Sequence, residues 1–219
     1  MRHSKVSTRL IALIGALAIM LMAIGALGLY GIDKTNDALK SVYEDRAVPA
    51  VQLGDIRARQ LDNLAALEGA LRTPSTQNTA EQVARVESNL SSIGQTWKLY
   101  MATRQTQEEA QLARNFAEMR ATFEQQVLRP LLAALHANDV PTAAQLLSGN
   151  AVFHHLELEK GIEALLQLQV RVAAREYAEA EARYEVIHNA AIAIIVASLA
   201  FAGVFGFFIT RSIGRELGA

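Results

Sequence analysis

The stretch at 83–100, VARVESNLSSIGQTWKLY, decides the fold. Its residues Val83, Val86, Leu90, Ile93, Trp97 and Tyr100 recur at alternating steps of three and four. That spacing lines one face of an α-helix packed in a bundle, whereas a half-buried strand would alternate at every second residue. A helix with one apolar seam cannot stand alone in water, so partners must lie on both sides in the sequence.

Upstream, RTPSTQNT at 72–79 reads as a hairpin turn. Before it, Leu53, Ile56, Gln60, Asn63 or Leu64, Leu67 and Leu71 form the stripe of a first helix. Pro49, within RAVPAV at 46–51, is expected to kink or briefly break that helix, because proline lacks a backbone donor and crowds the preceding turn. Downstream, TRQTQE at 103–108 offers a short turn with Thr106 as cap and Glu109 completing a capping box. A third helix carries Leu112, Phe116, Met119, Phe123 and Val127, with a bend expected at Pro130. HANDVPT at 136–142 closes it, with Asn138 or Asp139 capping the next helix and Pro141 in its first turn. The fourth helix continues through a turn or defect at SGNA, 148–151, with Leu158, Ile162, Leu165, Val172, Tyr184 and Ile187 near one face.

Two uncharged apolar runs flank this region, LIALIGALAIMLMAIGALGL at 10–29 and AAIAIIVASLAFAGVFGFFI at 190–209. Each has the roughly 20 residues that cross a ~30 Å hydrocarbon core. The first exceeds the about 7–15 residues of a signal-peptide core, with cleavage near Ala26-Leu27-Gly28 as the alternative. Arg2, Lys5 and Arg9 before the first run, and Arg211 and Arg215 after the second, place both termini on the cytoplasmic side. The expected organisation is a cytoplasmic tail at 1–9, a span at 10–30, an outer domain at 31–188, a second span at 189–209 and a cytoplasmic connector at 210–219. The fold class is all-α: an antiparallel up-down four-helix bundle continuous with two transmembrane helices. A helix from Ala151 into Ile209 would be about 90 Å long at ~1.5 Å per residue.

Composition narrows the function. The chain has no cysteine, hence no disulfide, thiolate nucleophile or cysteine-ligated metal. A net charge of −1 leaves no basic footprint for nucleic acid. No nucleophile, base and oxyanion donors come together, so no catalytic residue, enzyme activity or cofactor is expected.

Three stretches, LYGIDKTNDALKSVYEDRAVPAVQLGDI at 29–56, TWKLYMATRQTQEEAQLARNFAEMRATF at 96–123 and EYAEAEARY at 176–184, resemble the four-helix-bundle sensor of bacterial methyl-accepting chemotaxis receptors. ITRSIGREL at 209–217 resembles the first connector of a HAMP linker. The resemblance implies an inner-membrane homodimer with its sensor in the periplasm, a small-molecule ligand, and a HAMP linker. Beyond these it implies a methylated cytoplasmic coiled coil that acts on a histidine kinase and its adaptor. The alternatives are a same-fold input domain of a histidine kinase or diguanylate cyclase, and a stand-alone membrane-anchored interaction protein.

A sensor of organic or amino acids needs forked donors for a carboxylate, which arginine supplies. The candidate ligand-binding residues are Arg57, Arg59, Asn63, Arg120 and Arg129, with Arg72 also distal; Arg120 sits beside the core positions Met119 and Phe123. Aspartate receptors of the resembled family carry three arginines on the first outer helix. Here ARQLDNLAALEGAL at 58–71 offers Arg59 and Asn63, so aspartate is not implied. A different carboxylate, recognition through a binding protein, or no ligand stay open.

FHHLELE at 153–159 invites a metal reading, but on a helix His154 and His155 point about 100° apart and the i, i+4 pair is His155 with Glu159. A solvated or capping role is expected, and no metal. Trp97 and Tyr100 are assigned to packing rather than to stacking on a ligand. YEDR at 43–46 reads as a wet helix face with an ion pair from Glu44 or Asp45.

Overall fold

The computed structural model describes residues 6–217; Arg2, Lys5, Gly218 and Ala219 lie outside it. The described residues form helices and turns and no strand: α1 Val6–Val42, a π-helical turn Tyr43–Ala47, α2 Val48–Arg72, α3 Thr76–Met101, α4 Gln107–Phe123, a second π-turn Glu124–Leu128, α5 Arg129–His136, α6 Val140–Ser148 and α7 Asn150–Leu217. The chain divides into two compact units, one of residues up to Leu39 together with those from Glu176 onward, the other Lys40–Arg175.

In the first unit the apolar runs of α1 and α7 are long enough to cross a membrane, and the most apolar stretch of each is unburied by protein. Ile11, Leu21, Leu199 and Phe208 are exposed. Apolar surface on this scale needs lipid rather than water around it. Gly31 lets α1 and α7 meet: a Cβ there would lie 3.1 Å from Ile187 Cγ2. Tyr184, placed by its spacing on the core face, is exposed and stacks on His188 with ring centroids 5.5 Å apart. The buried stripe of α7 ends at Val172, just before the helix leaves the bundle unit.

In the second unit each turn has its own chemistry. Ser75 caps α3 by accepting from Asn78 N–H, and Thr106 and Glu109 form the expected capping box on α4. Asp139 caps α6, while Asn138 takes the left-handed φ of 56° that closes the preceding turn. Gly149 ends α6 and α7 starts directly after it.

Both interior prolines sit just past a π-turn. Val48 N–H bonds to Tyr43 O and Arg129 N–H to Glu124 O, five residues back in each case, so the helix widens into a π-turn beside each proline at which a bend or break was expected. Pro49 cannot bond to the carbonyl four residues earlier, that of Asp45. Arg46 Nη1 donates to that carbonyl at 2.8 Å instead.

The pairs Asp55–Thr96, Asp62–Arg85 and Asn63–Asn89 run α2 and α3 antiparallel. Glu108–Arg171 and the approach of Gly161 to Phe116 and Met119 do the same for α4 and α7. A Cβ on Gly161 would lie 2.6 Å from Met119 Cε and 3.1 Å from Phe116 Cδ2, so the glycine permits the close approach of these helices.

The core forms two clusters. One gathers Leu53, Ile56, Ile93, Trp97, Tyr100, Ala113, Phe116, Leu158, Ile162 and Leu165. The other gathers Ala66, Leu67, Ala70, Val83, Val86, Leu128, Leu131, Leu132 and Leu135 with Ala134 and Ala143. Fully burying each large side chain here contributes about 1.5–3 kcal/mol. Of the predicted stripes, Leu112, Met119, Leu64 and Leu71 are only partly buried, whereas Asn63, Ala66 and Ala70 are buried.

Candidate ligand-binding site

Between the two clusters lies a cavity of about 130 Å³. Leu67, Leu128 and Leu131 of one cluster and Ile93 and Leu158 of the other face it, and Phe123 closes the junction. The helices of the bundle unit contribute in turn: Gln60 and Asn63 from α2, Gly94 from α3, Arg120 from α4, Glu124 and Val127 from the π-turn, Leu147 from α6, Ala151 and His155 from α7. The wider π-turn puts Val127 and Leu128, neighbours in sequence, both in the core. Such turns recur at functional sites in helices.

Arg120 is the cavity's chemical centre. Its Nη1 is buried and has no hydrogen-bond partner among the described residues. The guanidinium lies 5.6 Å from the centroid of the Trp97 ring, a cation–π geometry that supports the charge without using its N–H groups. Burial lowers its pKa and nearby Glu124 opposes that, but a guanidinium stays protonated at any physiological pH. A buried donor left without an acceptor costs about 1–3 kcal/mol, and an anion beside the guanidinium would satisfy it once Nη1, which has no open surface of its own, turned toward the cavity.

The other candidate residues are engaged with protein. Asn63 lines the cavity, but its Oδ1 accepts from Asn89 Nδ2 at 2.9 Å. Arg59 bonds Asp55 at 2.9 Å and Asn89 Oδ1 at 3.3 Å, part of a polar ladder between α2 and α3 that also holds Asp62 and Arg85. Asn89 first, then Arg85, hold the Asp62 carboxyl below the usual range. Arg57 grips α7 through Glu159 at 2.6 Å and Glu163 at 3.0 Å, which raises its pKa. Arg129 pairs with Glu124 at 2.9 Å and is exposed, and Arg72 reaches Glu68 only at 3.9 Å. The structure thus brings Asn63 and Arg120 to one cavity, and Arg57, Arg59, Arg72 and Arg129 do not line it.

Sequence reasoning missed Gln60, Gly94, Glu124 and His155. His155 was expected to be solvated or to cap a helix; it faces the cavity, and Glu159, its i, i+4 neighbour, binds Arg57. Among the described residues no three His, Asp or Glu side chains are grouped as metal ligands would be. Trp97 packs on Tyr100 and Phe116 at 5.1 and 5.2 Å between centroids, and also supports Arg120.

YEDR holds a second surprise. Glu44 and Asp45 behave as expected, with Lys40 3.9 Å from Glu44 and Ser41 3.3 Å from Asp45. Arg46, however, is 5% exposed and meets Glu109, itself 1% exposed, at 3.3 Å. Glu109 also accepts from Tyr100 Oη at 2.8 Å and from Gln169, while capping α4. The signal was available in Pro49, whose freed carbonyl calls for a nearby donor.

Comparisons with known proteins extend this. Residues 1–173 match the family described as Tar ligand binding domain homologue. The chain is 25% identical over 219 residues to the methyl-accepting chemotaxis protein NahY of Pseudomonas putida, covering 99% of this chain and 40% of that protein. The chain therefore spans less than half the length of this relative. No solved structure gives a significant match.

Proposed function

Because the chain belongs to the family of Tar ligand-binding domain homologues, receptors rather than enzymes, we propose that its buried cavity binds a small organic acid whose carboxylate is held by Arg120. The unpartnered Nη1 of Arg120 carries this reading. The fork of a guanidinium matches a carboxylate, and the cavity's low polarity strengthens the pairing. Asn63 shapes the wall; Arg57, Arg59 and Arg129 set the bundle around it.

The family and the two membrane-length helices mark an inner-membrane sensor. In this reading residues 31–188 lie in the periplasm, 10–30 and 189–209 cross the membrane, 1–9 lie in the cytoplasm and 210–219 begin a HAMP linker. The receptor works as a homodimer, and its output is chemotaxis, as the name of the P. putida relative suggests. Ala151, His155 and Leu158 bring α7 into the cavity wall, so a ligand touches the helix that runs on to the second span. Only a ligand that binds one placement of α7 better than another can signal, and shifts of about 1–2 Å suffice at helical interfaces.

Calorimetric titration of the 219-residue chain in lipid nanodiscs with a panel of organic and amino acids tests the site. Arg120→Ala should weaken binding by tenfold or more, and Arg72→Ala, at an exposed residue outside the cavity wall, should leave it unchanged. Binding unaffected by Arg120→Ala would sink the assignment.

A further inference from the structure

The cavity also restricts which acid can enter, an inference that rests on the reading of Arg120 just given. We infer that the ligand is a monocarboxylate with an apolar, ring-sized body, as in benzoate or cyclohexanecarboxylate, rather than an amino acid or a dicarboxylate.

Volume comes first. The cavity measures about 130 Å³, and an apolar cavity of about 150 Å³ is known to take one benzene. A single six-membered ring therefore fits the body of the cavity, with the carboxylate reaching Arg120. Charge is the second restriction. Arg120 is the one arginine or lysine among the described lining residues, with the imidazole of His155 the other nitrogen donor of note, so a second carboxylate would find no second permanent cation. Glu124 is the lining carboxylate that an α-ammonium group could use, and Arg129 already occupies it at 2.9 Å. An amino acid would thus bury its ammonium against leucine, isoleucine and phenylalanine without a free counter-charge. The third observation is Gly94. A Cβ built there meets nothing within 4 Å, so this partly buried stretch of α3 leaves open space along the cavity wall. A ring would supply the missing contacts.

The experiment uses the 219-residue chain in nanodiscs, titrated with benzoate, cyclohexanecarboxylate, cyclohexylmethanol, L-aspartate and succinate, with empty nanodiscs as blank. The two ring acids should bind at least tenfold tighter than the other three. Arg120→Gln, which removes the cation, and Gly94→Leu, which fills the open space, should each weaken the ring acids at least tenfold. The Gly94 variant leaves every polar group in place, so folding failure at Arg120 cannot mask the result. If aspartate or succinate binds as tightly as benzoate and needs Arg120, the carboxylate site stands and the ring assignment falls. Ring acids that bind Gly94→Leu normally also overturn the ring assignment. If cyclohexylmethanol equals the acids, or no acid binds, or both variants leave binding unchanged, the reading of the cavity itself is overturned.

Discussion

Two charges of the bundle unit, the buried Glu109 and the partly buried Arg120, are treated in opposite ways. Glu109 is met by Arg46, Tyr100, Gln169 and the start of α4, so the charge is shared among partners on several elements. Arg120 has a ring beneath it, a cavity before it and one N–H group with nothing to donate to. In the first arrangement the charge is fully partnered, although Gln169 Oε1 beside it is buried without a donor; in the second the charged group itself has an unpartnered donor. A bundle that can satisfy one charge with four partners does not leave another bare for want of polar residues, and in the function proposed above the difference separates what holds the fold from what awaits a ligand.

The contrast can be broken by mutation. Glu109→Ala should have the largest effect, destabilising the protein by about 3–5 kcal/mol because Arg46 is left buried without its carboxylate. Thermal unfolding of the detergent-solubilised chain, followed by circular dichroism, measures this; a loss below about 1 kcal/mol, the range of an exposed pair, would dissolve the distinction. Arg120→Met should move stability the other way, by about 1 kcal/mol, since removing an unsatisfied buried donor outweighs a cation–π contact worth roughly 0.5–1 kcal/mol. The same variant should lose binding, and a destabilised Arg120→Met would mean that the guanidinium serves the fold.

Gly94→Ala should stabilise by about 0.5–1 kcal/mol, because it removes a helix-interior glycine into open space. Over the accessible pH range the smallest effect belongs to Tyr100. Burial first, and the neighbouring Glu109 second, push its hydroxyl pKa well above the ordinary value of 10.0. The folded state therefore holds this proton more tightly than the unfolded chain does. Its stabilisation is complete below pH about 10 and is lost as pH rises from there toward the folded pKa. Melting temperature against pH should fall more shallowly above pH about 10 in Tyr100→Phe than in the parent.

The seam of α3 was legible because large residues recur at helical spacing with no competing pattern, and five of its six positions are buried. Ala66 and Ala70 were not, because alanine carries no signal of which way it faces; a neighbouring helix decides. The capping box at Thr106 was readable because its four residues are local, whereas the same Glu109 binding Arg46 across 63 positions was not. For the site, the residue type was readable and its isolation was not. Arg57, Arg59 and Arg129 offer the same fork as Arg120, whose place beside Met119 and Phe123 was the one hint in the letters, and only folding shows which of them find carboxylates nearby. Membership of the cavity by Gly94 and His155 depends on the meeting of α3, α7 and the second π-turn.

That π-turn has a last consequence. A residue in excess of the regular helix is stored at 124–128, and each residue removed or added there rotates the downstream helix by about 100°. Deleting one would swing Leu131 and Leu135 away from the facing helices, and inserting one elsewhere in α4 would not substitute for it. A change of length at this spot would therefore re-aim the wall that Val127, Leu128 and Leu131 give the cavity, and with it the bore.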